Sequence, residues 1–118
     1  MKHIGYFTHS DCMIHDMGHM HPESPMRLQA IDIRLQADGL MLDLTPFEAL
    51  PAEHEWIERA HPHDYVHEIE QIGYDAINGD LIPVDGDTSM GPGSLRAALL
   101  APGAGCQAVD RVMAGHIR

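Results

Sequence analysis

The stretch Gly18–Leu28, G-H-M-H-P-E-S-P-M-R-L, forces an abrupt change of backbone within a few residues. A loop of glycine and histidine passes through two prolines and becomes the first turn of an amphipathic helix. Ser24 can accept a backbone N–H as N-cap, and Pro25 suits the first helical position, where its missing N–H would be unpaired anyway. Gly39 can close the far end in a left-handed conformation. A polar loop is thereby pinned to a helix running from Pro25 to about Ala37. Loops pinned in this way either line a site or simply connect a strand to a helix. His61-Pro62 repeats the device and opens a second helix with Tyr65, Ile69 and Ile72 on one face and Gly73 as its stop.

Around these two fixed points the remaining segments fall into order. Lys2 to Thr8 reads as a strand, since Ile4, Tyr6 and Phe7 are good strand formers, and His9 to Pro22 has no periodicity and reads as loop. The first helix is expected to bury a face made of Leu28, Ile31 and Leu35, widened by Met26, Ala30 and Ile33. Leu40, Leu42 and Leu44 alternate as in a strand bounded by Pro46 and Pro51. Glu53 to Ala60 fits helix or strand equally. Asn78 to Gly93 reads as one long loop of the kind that is often functional. Ser94 to Ala114 is helical, with Leu95, Leu99, Val109 and Met113 in phase and a kink or break expected at Pro102, Gly103 and Gly105. This is the grammar of an α/β domain with a parallel sheet that stops before the sheet is finished.

Seven basic against eighteen acidic side chains give a formal charge of −11, which disfavours nucleic acid and anionic membrane surfaces as partners and suits cationic ones. The two cysteines, Cys12 and Cys106, could form at most one bridge, and no charged leader with an apolar core precedes Ile4, so free thiols and a cytoplasmic location are expected. No run approaches the roughly 20 apolar residues that cross a bilayer.

Ten histidines are the compositional anomaly. His15, His19 and His21 share one loop at spacings that could hold a metal, with Asp11, Cys12 and Asp16 nearby, but nothing completes an established metal signature. His61, His63 and His67 surround the second helix start and fit capping or solvated positions better. Ser10, Ser24, Ser89 and Ser94 lack the G-x-S-x-G setting, and the phosphate-binding glycine fingerprints are absent.

Three segments in order resemble the N-terminal part of the histone deacetylase and acetylpolyamine amidohydrolase family, on its bacterial, class II-like side. His19 to Leu28 is similar to the family's G-H-P-E-x-P-x-R-L, with Met20 as one extra residue. A-H-P-H-D-Y-V at Ala60 to Val66 resembles V-H-x-x-x-Y-V, and D-G-D-T-S-M-G-P-G-S-L-R-A-A at Asp85 to Ala98 resembles D-x-D-T-x-x-S-P-G-S-x-x-A-A. The resemblance implies an open, mostly parallel, arginase/deacetylase-like α/β sheet flanked by helices. Residues 1–118 would be the N-terminal, incomplete segment of a single such domain. With the strand and helix alternation, it leads us to expect a strand near Trp56 to Ala60 parallel to the first.

It further implies a zinc-dependent hydrolysis of acetyl-lysine or acetylpolyamine amides in the intact enzyme. The loop of His19, His21 and Pro22 would form a wall of the substrate tube. Asp87 would accept amide hydrogen bonds from substrate at the rim, on the same end of the sheet as the Gly18–Pro22 loop. The chain has no Gly-His-His, Asp-x-His or Gly-Gly-Tyr, the family's histidine pair, first zinc ligands and oxyanion-stabilising tyrosine. No catalytic and no metal-ligating residue is therefore assigned here, and the chain alone is expected to bind no zinc and to be inactive. Two other readings stand beside this one. One is a stand-alone metal-binding module using His15, His19 and His21. The other is a non-catalytic assembly module that pairs with another copy through its unfinished sheet edge.

Overall fold

The computed structural model describes residues 3–118, so Lys2, expected to open the first strand, lies outside the described residues. Strand β1 (Ile4–Thr8) pairs in parallel with β2 (Leu44–Glu48), with Ile4 opposite Leu44 and Thr8 opposite Glu48. The crossover between them is helix α1 (Met26–Ala37), preceded by a 3₁₀ turn at Ser10–Met13 and followed by another at Leu40–Asp43. Helices α2 (His54–Glu58) and α3 (His63–Asp75) come next. A two-residue hairpin of β3 (Ile82–Pro83) and β4 (Ser89–Met90) leads into the long helix α4 (Ser94–Met113). The result is an incomplete α/β fold with a small parallel sheet.

Side chains alternate across the strands, and each face of the sheet meets a different helix. On one face the Tyr6 hydroxyl donates to Asp32 of α1 at 2.5 Å, which raises the Tyr6 phenol above its ordinary range. On the other, Phe7 stacks on Phe47 with ring centroids 4.8 Å apart, and the Arg111 guanidinium of α4 sits 4.2 Å over Phe47. Pro46 lies inside β2 and does not bound it. The Ala49 N–H donates to Thr8 O at 2.8 Å, so the odd-numbered residues of β2 bond to β1 and Pro46 turns its missing N–H to the open edge. Beyond β1, the only pairing among the described residues is the single parallel bridge between His3 and Ile117.

Several sequence expectations are corrected. The partner of β1 is Leu44–Glu48, and Trp56–Ala60 is no strand: His54–Glu58 is helical, supported by a Glu55–Arg59 ion pair at the helical i, i+4 spacing. Of the alternating leucines, Leu40 and Leu42 belong to a 3₁₀ turn, and Leu42 is 91% exposed. Helix α1 buries no residue. Leu28, Asp32 and Leu35 are half-buried, while Met26 and Ile33 lie on the opposite side of the helix and Ile31 on its flank, all three exposed. Gly73 does not end α3; a Cβ there would meet Leu95 Cβ at 2.6 Å, so this glycine lets α4 cross. The Asn78–Gly93 loop contains the β3–β4 hairpin.

Helix α4 runs unbroken through Pro102. Proline removes one helical donor and crowds the preceding turn, freeing carbonyls there. The Leu99 carbonyl accepts the Ala52 N–H at 2.8 Å, so the disturbed turn is used as a docking point for the chain leaving β2. Around it lies the small core of Ala49, Ala52, Leu100 and Gly103. The Cα radius of gyration is 16.0 Å, against about 13 to 14 Å for a closed domain of this length. Large apolar side chains at Leu42, Leu50, Ile77 and Met113 remain exposed. Cys12 and Cys106 are free thiols, and among the described residues no helix is long and apolar enough to cross a membrane.

Candidate functional site

The β3–β4 hairpin is built around Asp85. One of its carboxylate oxygens accepts the N–H groups of Asp87 at 2.9 Å and Thr88 at 2.8 Å, and the Val84 N–H donates to Thr88 O at 2.8 Å. A short polar side chain closing its own turn in this way fixes a tight loop. The Asp87 N–H bond is the leading reason that Asp85 ionises below the ordinary carboxylate range. The hairpin presents Asp87 outward, its side chain 95% exposed.

The Gly18–Pro22 loop reaches the same tip. His21 Nδ1 accepts the Glu23 N–H at 3.0 Å. A neutral imidazole that accepts at one nitrogen carries its proton on the other, so Nε2–H donates to the Asp87 backbone carbonyl at 3.2 Å and lies 3.4 Å from its carboxylate. The loop turns through Gly18 at φ +97° and Met20 at φ +64°. Met20 is the extra residue of the motif, and the only non-glycine with positive φ among the described residues. A left-handed backbone at methionine stores strain that the surrounding bonds must hold.

Both loops are tied to the start of α4. His15 Nδ1 and Ser94 Oγ are 2.7 Å apart, and the buried Ser94 Oγ also accepts the Gly91 N–H at 2.9 Å. Arg96 pairs with Asp11 at 3.2 Å. Gly93, at φ +80°, brings the helix start against Ile14, where a Cβ would meet Ile14 Cγ2 at 2.7 Å. Beneath these contacts lies a cavity of about 450 Å³ whose lining includes His15, Ser24, Arg27, Tyr65 and Ser94. Burial, with the Asp11 carboxylate next, keeps the Cys12 thiol at its edge protonated.

Of the residues singled out by sequence, the structure brings His21 and Asp87 into contact. His19 and Pro22 lie exposed on the same loop. His15 faces away into Ser94, so the three loop histidines do not converge. Among the described residues no three His, Cys, Asp or Glu side chains are grouped to hold a metal ion, and the donor set does not fit a zinc site. The sequence pointed to neither the turn-closing role of Asp85 nor the bonds of Ser94 to His15 and Gly91. The signal for Asp85 was its place two residues before Asp87, the spacing of a side chain that caps the loop after it.

Because Asp85 acts as a carboxylate, its hold on the turn has a defined pH dependence. A lowered folded value means the contribution is present above the ordinary value of 3.8 and is lost as pH falls through the lowered one. Asp85→Asn should therefore speed amide exchange at Asp87 and Thr88 at neutral pH by about tenfold, from weaker acceptance of both N–H groups. Unchanged exchange at those two amides would show that the turn does not depend on Asp85.

The chain has counterparts among known proteins in sequence and in fold. Residues 21–118 match the family model described as the histone deacetylase domain. The chain is 35% identical over 96 residues to a histone deacetylase-like amidohydrolase of Pseudomonas aeruginosa, an alignment covering 81% of this chain and 24% of that protein. It is 25% identical over 157 aligned positions to the type-2 histone deacetylase 1 of Dictyostelium discoideum, covering 92% of this chain and 10% of that protein. In fold it is similar to the crystal structure of the HDA15 HD domain, with a TM-score of 0.88, 20% identity, and coverage of 100% of this chain and 34% of that one. The chain thus spans between a tenth and a third of the length of these relatives.

Proposed function

This chain belongs to the histone deacetylase family, and from that premise we propose that it supplies the substrate rim of a deacetylase-type amidohydrolase and not its reaction centre. The observation that carries the reading is the Asp87 hairpin. An exposed carboxylate stands on a turn fixed by Asp85 and is bonded at its backbone to His21 of the opposite loop. An ionised carboxylate held in this way can accept charge-assisted bonds from the backbone amides of an acetyl-lysine peptide or from an acetylpolyamine. The charge of −11 favours approach of such cationic substrates. His21 positions the carboxylate, and His19 and Pro22 form the adjoining wall. Residues 1–118 then act as the first segment of one α/β domain, whose further strands would cover the apolar faces left open on α1 and α4. The zinc that the resemblance implies would be held outside this donor set, so no step through it is assigned to these residues.

A chimera tests this. Residues 21–118 replace the matching segment of the Pseudomonas aeruginosa relative, and acetate release is measured on an acetyl-lysine peptide. The chimera should be active, and Asp87→Ala should lower kcat/KM by about 10- to 100-fold, the loss of one or two charge-assisted hydrogen bonds, chiefly through KM. Equal kcat/KM in the two chimeras would remove Asp87 from substrate binding, and an inactive but folded chimera would argue against the shared role of the segment.

A further inference from the structure

Away from the hairpin, a second cavity of about 450 Å³ lies between α2, α3 and α4, apolar over most of its wall. Trp56 and Ile57 of α2 close one side of it, against Tyr65 and Ile69 of α3 and Leu99 of α4. Helix α2 has five residues and buries none of them, so its own packing holds it weakly. What joins it to α3 is a row of alternating imidazoles and carboxylates. His54 Nε2 is hydrogen-bonded to Glu70 of α3, and His54 Nδ1 lies 3.7 Å from Glu58 on its own helix. Glu58 in turn is bonded to His63 Nδ1, at the start of α3, at 2.6 Å. The row therefore crosses between the two helices twice.

We infer that Glu70, His54, Glu58 and His63 form a proton-operated clasp, which holds α2 over the apolar cavity when both imidazoles are charged and lets α2 loosen when they are neutral. Individually, exposed ion pairs contribute little, which suits a reversible hold on a short helix. Other titratable groups stand around the row, among them His67, one turn after His63 and one turn before Glu70 on α3. From α3, Asp64 adds negative field at His63, while the two imidazoles oppose each other. On α2 itself Glu55 is taken up by Arg59 at 3.2 Å. Arg59, at the C-cap of α2, and Asp110 of α4 line a separate hollow together with Trp56. His61 lines the cavity beside Tyr65, ring centroids 5.6 Å apart, and stands outside the clasp.

The protonation balance runs in the required direction. His54 is raised, first by its hydrogen bond to Glu70, and His63 is raised, first by its bond to Glu58; Glu58 is lowered, first by the bond from His63. For the two histidines the stabilising contribution is complete below the ordinary value of 6.5 and is lost as pH rises through their raised folded values. For Glu58 it is present above the ordinary 4.5 and is lost as pH falls through the lowered value. The clasp is thus closed in mildly acidic solution and opens on the alkaline side.

Trp56 is the only tryptophan of the chain, so its intrinsic fluorescence reads the closure directly. Acrylamide quenching should be compared between about pH 5.5 and about pH 8.5, the range over which histidine charge changes. In the wild-type chain the quenching constant should roughly double on the alkaline side, with a midpoint above that of an unperturbed imidazole. His54→Gln and Glu70→Gln should show the alkaline value at both ends, and His61→Gln should keep the wild-type transition. Far-UV circular dichroism should be unchanged throughout. A flat wild-type profile would overturn the clasp, as would a transition that survives in both clasp variants but is lost in His61→Gln. Loss of helix signal in step with the quenching change would also overturn it, because global unfolding would then be the event observed.

Discussion

Replacing Gly103 by alanine should destabilise the fold by about 3 kcal/mol, the upper part of the range for overpacking a tight interior, and lower Tm by about 10 °C. A Cβ built at Gly103 would lie 1.9 Å from Leu50 O, 2.6 Å from Ala52 N and 2.8 Å from Pro51 C. All three are backbone atoms, so no side-chain rotation relieves the clash. The segment they belong to is itself held: Ala52 N–H donates to Leu99 O, Leu50 N–H donates to Gln107 Oε1 at 2.8 Å, and Gln107 Nε2 donates to Glu48 O at 3.4 Å. Moving it would break the exit of β2 from the sheet and uncover Leu100, which is 0% exposed. Gly105 provides the control on the same helix. Nothing lies within 4 Å of a Cβ there, so Gly105→Ala should stabilise by about 0.5 to 1 kcal/mol, the helix-propensity gain alone. Denaturant titration of the three proteins checks both signs, and equal midpoints for wild type and Gly103→Ala would show that the crossing can relax.

This crossing also marks where sequence reading reached its limit. Pro102, Gly103 and Gly105 read locally as a kink or a break in the helix, because proline and glycine are poor interior residues, and the break does not occur. The helix persists because tertiary contacts compensate. The turn at Pro102 gains an external donor from Ala52, and Gly103 admits a backbone that any side chain would exclude. The same reason explains Gly73, a stop by local rules and a helix crossing in the fold. Strand choice failed differently. Leu44–Glu48 contains a proline, which argues against an interior strand, and only the register shows that Pro46 faces the open edge.

The candidate site was more legible than the sheet. Ser24 Oγ accepts the Met26 N–H at 3.2 Å just ahead of α1, although the helix begins at Met26 with Pro25 as its N-cap, one residue later than expected. Gly39 follows the far end of the helix at φ +72° as expected. Caps and turns are local devices and can be read from a few residues. That Asp87 would lie within reach of the Gly18–Pro22 loop was expected only from the family resemblance, and the bond through His21, joining residues far apart in the chain, was not read from the sequence. The buried face assigned to α1 failed because apolar spacing says which side of a helix can be covered, not whether the cover is present.

The central claim, a substrate rim without a reaction centre, is tested most directly by acetate release from acetyl-lysine and acetylpolyamine substrates using the purified 118-residue chain, with its metal content measured in parallel. A catalytic zinc needs about three protein ligands and one open position, and here His15 is bonded to Ser94 and His21 to Asp87. No tyrosine in the chain follows the Gly-Gly pattern that would place a donor against a developing oxyanion, and loss of one such donor costs about two to three orders of magnitude in rate. We expect no turnover, with or without added zinc. Turnover that tracks this polypeptide through purification and disappears in Asp87→Ala would contradict the claim and place the chemistry within these residues.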